Sequence, residues 1–256
     1  MTAAPVHLLG ERLMLDPDGV LWWPARRLLA VADLHLEKGS SLAARGALLP
    51  PYDSRATLER LIPLVRRYRP ERLVALGDSF HDRHGAARLG RDETAAIAAL
   101  ASSTTLVWVL GNHDPVPPAG LPGAAHEALA EGPLVFRHDA TGEAGEITGH
   151  LHPKAAIATR GKWVSRPCFV ADQRRVLLPA FGAYAGGLDV REPAVRALFP
   201  RGGRAFLLGR GRLFSFTLGQ LREAEAPAPP PADPPPPRTV PARRECPPGR
   251  VRAGSR

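Results

Sequence analysis

Three times within the first 114 residues an apolar run stops abruptly in a cluster of acids and histidines: RLLAVADLH (27–35), RLVALGDSFHD (72–82) and TTLVWVLGNHD (104–114). A short apolar run closed by such residues reads as a buried strand that opens into a loop. Between the first two lies ATLERLIPLVRRY (56–68), apolar at 58, 61, 62, 64 and 65, a helical spacing with an arginine-rich outer face and Pro63 as a point of kinking. RDETAAIAALAS (91–102), between the second and third, is also helical. Strand–helix–strand–helix–strand predicts parallel pairing through right-handed crossovers. Parallel strands all end on the same edge of their sheet, so the polar clusters are delivered to one place.

Beyond residue 133 the pattern turns to strands: PLVFRH, GEITGH, CFVAD, RVLLPAF, AFLLG and RLFSFTL, with GRGR (209–212) as the turn of a terminal hairpin. HLLGERLMLDPDGVLWW near the N-terminus reads as small antiparallel strands, with Trp22 and Trp23 packing on a sheet rather than stacking on bases. No internal repeat is present. The sum predicts an α/β fold with mixed sheets.

At 256 residues and 44% hydrophobic content the chain can bury a sizeable core. No run approaches the roughly 18 apolar residues of a membrane-spanning helix. MTAAPVHLLGERL lacks the features of a signal peptide. Two cysteines, Cys168 and Cys246, cannot form a disulfide framework and suit the reducing cytoplasm. From Glu225 the sequence reads EAPAPPPADPPPPRTVPARRECPPGRVRAGSR, dense in proline and without an apolar period. This predicts a folded domain over 1–224 and a disordered, proline- and arginine-rich tail over 225–256. The formal charge is +9, but over residues 226–256 six arginines against Asp233 and Glu245 put +4, nearly half of that excess, on the proline-rich segment. Charge is therefore only a secondary argument for a polyanionic partner.

The chemistry sits in the clusters. They are Asp33-Leu34-His35, Gly77-Asp78-Ser79-Phe80-His81-Asp82 and Gly111-Asn112-His113-Asp114, followed by Phe136-Arg137-His138-Asp139 and Gly149-His150-Leu151-His152. Histidine nitrogen with aspartate oxygen suits manganese, iron or zinc, whereas calcium or magnesium would draw on oxygen almost alone. Neither cysteine lies near a cluster, which argues against a structural zinc site. In Asp-x-His or His-x-His on extended chain both side chains point to one face and can reach one ion. The donors outnumber what one ion needs, so a pair of metals sharing a carboxylate fits better.

In this order, Asp33-x-His35, Gly77-Asp78, Gly111-Asn112-His113-Asp114, His138 and Gly149-His150-x-His152 resemble the five motifs of calcineurin-like metallophosphoesterases. The wider strings DLHLEKGSS, LGDSFHD, GNHDP, GHLHP and PAFGAY resemble a narrower group, the bacterial ligase-associated DNA damage response endonucleases of the PdeM type. The resemblance spans roughly residues 5–220 and leaves the tail outside. It implies a four-layer αββα sandwich of two mixed sheets flanked by helices. It also implies that Asp33, His35 and His152 bind one metal, that Asn112, His138 and His150 bind a second, and that Asp78 bridges them. His113 would act beside the metals as general acid, with Asp114 orienting its ring, and His81 would contact the scissile phosphate.

Around these motifs, Arg83 and Arg137 read as ordinary solvated arginines, and His7 and His126 as ordinary surface or core residues. Asp82 reads equally as support for His81 or as loop polarity. Glu37 and Lys38 read as a salt-linked loop, and FGAYAGG (181–187) as either a substrate wall or plain turns. The implied activity is that of a manganese-dependent phosphodiesterase attacking in line with a hydroxide held between two metals. Its substrate would be DNA, cut internally in single-stranded regions during repair, with ligase, helicase and exonuclease partners and no membrane. The same site would serve small nucleotide substrates, because the motifs specify the reaction and not the substrate. A non-catalytic binding module is disfavoured, since no ligand position is missing.

Overall fold

The computed structural model describes residues 3–47, 49–159 and 162–223. The tail expected over 225–256 lies outside the described residues. The N-terminal segment forms β1 (Ala4–Leu8), β2 (Glu11–Leu15) and β3 (Leu21–Trp23), an antiparallel meander leading into β4 (Leu28–Ala32). After α1 (Lys38–Ala43) and α2 (Asp53–Tyr68) comes β5 (Arg72–Leu76), and after α3 (Gly85–Arg88) and α4 (Arg91–Ser103) come β6 (Thr105–Val109) and β7 (Ala124–His126). Sequential neighbours pair throughout this sheet, and β4 to β7 run parallel. Every residue of β4 is buried, as a continuous apolar run requires when both faces of a sheet are covered.

The two faces are covered differently. Val31, Leu73, Ala75 and Trp108 face Leu58, Leu61 and Leu64 of α2 and Ile97 and Leu100 of α4. Ala30, Ala32, Val74, Leu76 and Val109 turn the other way, against Phe136, Ile147, Phe169 and Val176 of a second sheet. That sheet is built from β8 (Ala128–Glu131), β9 (Leu134–Arg137), β10 (Glu146–Thr148), β11 (Lys154–Thr159), β12 (Lys162–Ala171), β13 (Arg175–Leu177), β14 (Arg204–Leu208) and β15 (Leu213–Thr217). Its order is β15-β14-β12-β13-β10-β9-β8, with β11 paired to β12 and with β9, β10 and β13 parallel. On its outer face Val195 of α5 (Pro193–Leu198) and Leu218 and Leu221 of α6 (Leu218–Glu223) pack over Cys168, Val170 and Leu177. The layers are helix, sheet, sheet, helix, the α/β sandwich that the resemblance implies.

The expected features fall into place with two differences. Trp23 is fully buried and donates its indole N–H to Glu11 Oε2 at 3.1 Å, and Trp22 packs on Tyr68 with ring centroids 5.2 Å apart. GRGR joins β14 to β15. The β11–β12 pair, by contrast, extends well beyond the short CFVAD strand, because its outer half is exposed and carries no apolar alternation to betray it. RVLLPAF yields only the three-residue β13. After it the chain leaves the second sheet and bridges to the first: Leu178 N–H donates to Thr148 O and Phe181 N–H to Ala32 O, at 2.8 and 2.9 Å. Among the described residues no helix is long and apolar enough to cross a membrane.

Candidate metal centre

Because β4, β5 and β6 are adjacent and parallel, Asp33, Asp78 and Asn112 leave the same edge of the first sheet. Backbone bonds continue past the strand ends and fix the loops to one another: His35 N–H to Asp78 O and Gly77 N–H to Val109 O, both 2.9 Å. The parallel pair β9 and β10 brings His138 and His150 to the same place from the second sheet. The His150 N–H donates to both carboxylate oxygens of Asp33 at 3.1 Å, which ties the two sheets together at the site.

This convergence is possible because of what the motifs leave out. Gly77 has φ of +67°, and a Cβ there would fall inside the His138 ring. A Cβ on Gly111 would likewise collide with the Asp78 carboxylate and amide. The backbone also takes the left-handed region at Asp33, His35, Asp78, His150 and His152, with φ between +43° and +71°. Such conformations are costly for non-glycine residues and persist only where tertiary contacts over-determine them, typically at functional sites.

All seven residues expected as ligands are gathered here. Asp33, His35 and His152 offer donor atoms within 4.8 Å of one another, and so do Asp78, His138 and His150. In the first group Asp33 Oδ1 and His35 Nε2 stand 3.3 and 3.2 Å from His152 Nε2. In the second, His138 Nε2 is 2.9 Å from Asn112 Oδ1, 3.0 Å from His150 Nδ1 and 3.4 Å from Asp78 Oδ2. The same Asp78 oxygen is 3.9 Å from His35 Nε2, so it lies between the groups.

Burial depresses the His35 pKa to about 3; Asp78 opposes this, and the imidazoles of His152, His113 and His81 add to it. Burial alone would raise the Asp78 pKa, but the His138 ring, the His113 amide and His35 hold it at about 2. Burial likewise opposes a charge on His138, yet Asp78, Asp33 and Asp139 outweigh it and raise its proton affinity. At neutral pH the centre therefore combines an ionised Asp78 with a neutral His35, the protonation states a cation requires of its ligands. Among the described residues Asp33 and Asp78 have only histidines as ionic partners, and the buried His138 Nδ1 finds no hydrogen-bond partner. This mixed nitrogen and oxygen donor set fits divalent transition ions.

The surrounding residues modify several expectations. His113 Nδ1–H donates to the His81 carbonyl at 2.8 Å, which directs Nε2 toward Asp78 Oδ2, 4.0 Å away. The expectation that Asp114 orients this ring is corrected. Its carboxylate instead accepts the amides of Gly111 and Phe80 at 3.0 and 3.1 Å, tying the second and third loops together. Burial lifts the Asp114 pKa to about 6, with those amides opposing and Asp78 adding. The His81 ring stacks on His113 at 5.1 Å and approaches His35 Nδ1 to 3.4 Å, so it borders the first donor group.

Glu37 and Lys38 are not paired: Glu37 accepts the hydroxyls of Ser40 and Ser54, and the Lys38 ammonium donates to Tyr184 O. FGAYAGG packs on the first motif, with Gly182 N–H donating to Asp33 O at 3.1 Å. Sequence reasoning missed Arg88, which nothing in its local context marks. Its guanidinium grips both oxygens of Asp82 at 2.9 and 2.7 Å and reaches Ser40 Oγ at 2.9 Å. Asp82 thus supports the loop whose carbonyl holds His113.

Two mixed sheets between helices, with carboxylates and imidazoles pooled at the strand ends, define a metallophosphoesterase sandwich. The chain belongs to the calcineurin-like phosphoesterase family, whose profile matches residues 26–178. Members of this family use divalent metal ions. Among solved structures, a nuclease MPE from Pseudomonas putida is 28% identical, with a TM-score of 0.64 over 84% of this chain and all of that one. Yfce, a phosphoesterase from E. coli, is 15% identical, with a TM-score of 0.36 over 74% of this chain and 97% of that one. No curated protein matches the chain.

Gly77→Ala is expected to displace His138, lowering both stability in urea and the metal content retained after gel filtration; full retention of both would contradict the packing described. The Arg88 hydrogen bonds hold the Asp82 pKa well below the carboxylate range against the opposing effect of burial, with the Ser41 hydroxyl and His84 amide assisting. A lowered native pKa stabilises the fold above the unfolded value near 4, and that share is lost as pH falls through the native value. Urea unfolding at pH 7 and pH 3 is expected to show Arg88→Ala less stable at pH 7 and less sensitive to acid than the parent.

Proposed function

We propose that this protein is a metal-dependent phosphodiesterase that cuts DNA internally, in single-stranded regions, during repair. The observation that carries the reading is one buried carboxylate, Asp78, lying between two donor groups with His113 beside it. The likeness to a nuclease at 28% identity supports the polynucleotide substrate. Asp33, His35 and His152 would hold one divalent ion and Asn112, His138 and His150 another, with Asp78 reaching both. When bound, such ions neutralise phosphate charge and lower the pKa of a held water toward about 7.

The chain's own groups supply the rest. Asp78 remains ionised and His35 neutral at working pH, so neither has to change protonation before an ion is held. His113 is fixed by its Nδ1–H bond to the His81 carbonyl, and as the imidazolium, with Nε2 also protonated, it would pass the Nε2 proton to the departing oxygen and keep the Nδ1–H bond. Asp114 keeps that geometry by joining the loops that carry His81 and His113. Manganese is the proposed ion, the cytoplasm the proposed setting, and a ligase, helicase or exonuclease of the same repair process the proposed partners.

The manganese-loaded protein is expected to nick a closed circle of single-stranded DNA, which has no ends, and Asp78→Ala to abolish nicking. Phosphate release from nucleotides with the circle left intact would overturn the endonuclease reading in favour of a small-substrate phosphatase. His113→Ala is expected to keep its metal and lose about 10²–10⁴-fold on an alkyl phosphodiester, with a smaller loss on a p-nitrophenyl ester that needs no proton to depart. Equal losses on both esters would remove the general-acid role.

A further inference from the structure

β9 ends in Phe136-Arg137, with His138 next in the chain, and strand alternation sends the Phe136 and Arg137 side chains to opposite faces. Phe136 enters the core between the sheets, while Arg137 lines a cavity of about 460 Å³ shared with Asn112, His138 and Thr141. Although it reads from sequence as an ordinary solvated arginine, its side chain is only 28% exposed. Among the described residues it is the one lysine or arginine in that lining. Its nearest carboxylate is Glu146, 3.6 Å from Nε and 1% exposed. Glu146 is already engaged: Oε1 accepts the amide and hydroxyl of Thr141 at 2.8 and 2.6 Å, and Oε2 accepts the Gly142 amide at 3.2 Å. Arg137 Nε is buried and has no hydrogen-bond partner among the described residues.

The carboxylate thus anchors the guanidinium electrostatically without consuming its donors. Nε faces that carboxylate, and among the described residues no hydrogen bond engages Nη1 or Nη2, a planar pair of donors that matches the oxygens of a phosphate. The cavity is walled by Asn112 and His138 of the second donor group, so a phosphate held there would be a neighbour of the one undergoing cleavage. On the rim, Glu127 is exposed and Asp139 is 73% exposed, 3.7 Å from His150 Nε2. Both repel anions, and so sharpen the dependence of any bound phosphate on Arg137.

We infer that Arg137 binds the phosphate adjoining the scissile one, which makes this cavity the subsite for the next nucleotide of a polynucleotide. The inference rests on the nuclease reading above and adds to it the group that favours a polymer over a small ester. It is tested with the manganese-loaded protein on a twelve-residue oligothymidylate and on bis(p-nitrophenyl) phosphate, which has no second phosphate, at salt from 50 to 200 mM. Arg137→Gln is expected to lower the ratio of kcat/KM values, oligonucleotide over small ester, at least tenfold. It should also flatten the dependence of log kcat/KM on log salt for the oligonucleotide by about 0.7, the contribution of one contacted phosphate on a single strand.

Arg137→Lys, which keeps the charge, is expected to restore the salt slope and only part of the ratio. Glu127→Gln, an exposed change with no packing role, is expected to raise the ratio. Equal losses on both substrates in Arg137→Gln, or an unchanged salt slope, would overturn the inference. Should Arg137→Gln not fold, a parental ratio in both Arg137→Lys and Glu127→Gln would overturn it equally. A parent protein that cleaves the small ester and neither binds nor cuts the oligonucleotide would defeat the nuclease reading itself. Cleavage by the parent with ratio and slope insensitive to Arg137 would defeat the subsite alone.

Discussion

A buried carboxylate has to be answered by positive charge or by hydrogen-bond donors, and among the described residues no lysine or arginine pairs with Asp78. It is 2% exposed. Oδ1 accepts the His113 amide at 2.9 Å, and Oδ2 faces the imidazoles of His35, His138 and His113 at 3.4–4.0 Å. Taking an ion of that kind out of water costs several kcal/mol unless it is compensated. The three strand-end loops of the first sheet and the close approach of the second are organised around meeting that demand. His138 can reach Asp78 only because Gly77 has no side chain, and Asp78 finds room only because Gly111 has none.

The surface charge tells a different story from the centre. Several arginines are committed within the fold: Arg55 to Asp92 and Glu93, Arg67 to Asp16 and Asp18, Arg191 to Asp189. Arg60 donates to Phe181 O at 2.8 Å and stacks on its ring, clamping the segment that joins the two sheets. A net positive charge is therefore a blunt indicator of a polyanionic substrate. Arg137 differs from these arginines in facing a carboxylate whose oxygens already accept the Thr141 and Gly142 groups.

The strand ends were legible because Asp, Asn and His in succession after an apolar run have no packing purpose, and because parallel pairing forces them to one edge. The alternation of strands and helices showed an α/β fold with mixed sheets, and the family resemblance supplied the four-layer sandwich. What escaped depends on tertiary geometry. An aspartate beside a histidine in sequence suggests a partnership, yet the turn after Gly111 aims the Asp114 carboxylate back at backbone amides and leaves the His81 carbonyl to hold His113. Glu37 and Lys38 look like a pair and bind Ser54 and Tyr184 instead, residues brought close only by folding. The β11–β12 extension carries no periodic signal because half of it faces solvent on both sides.

The separation of the interacting groups along the chain has a consequence for how the molecule is made. His35 meets His152, and the His150 amide meets Asp33, across 117 residues in each case. Contacts of such long sequence separation form slowly, since closing the intervening loop must precede any gain from it. On a ribosome the loops bearing Asp33, Asp78 and Asn112 emerge first as a half-cage, and the lid of imidazoles arrives only once the second sheet has been synthesised and docked. An ion bound by the complete cage adds its stabilisation to the finished state alone. Loading with metal would then act as a seal on completed folding rather than as a nucleus for it.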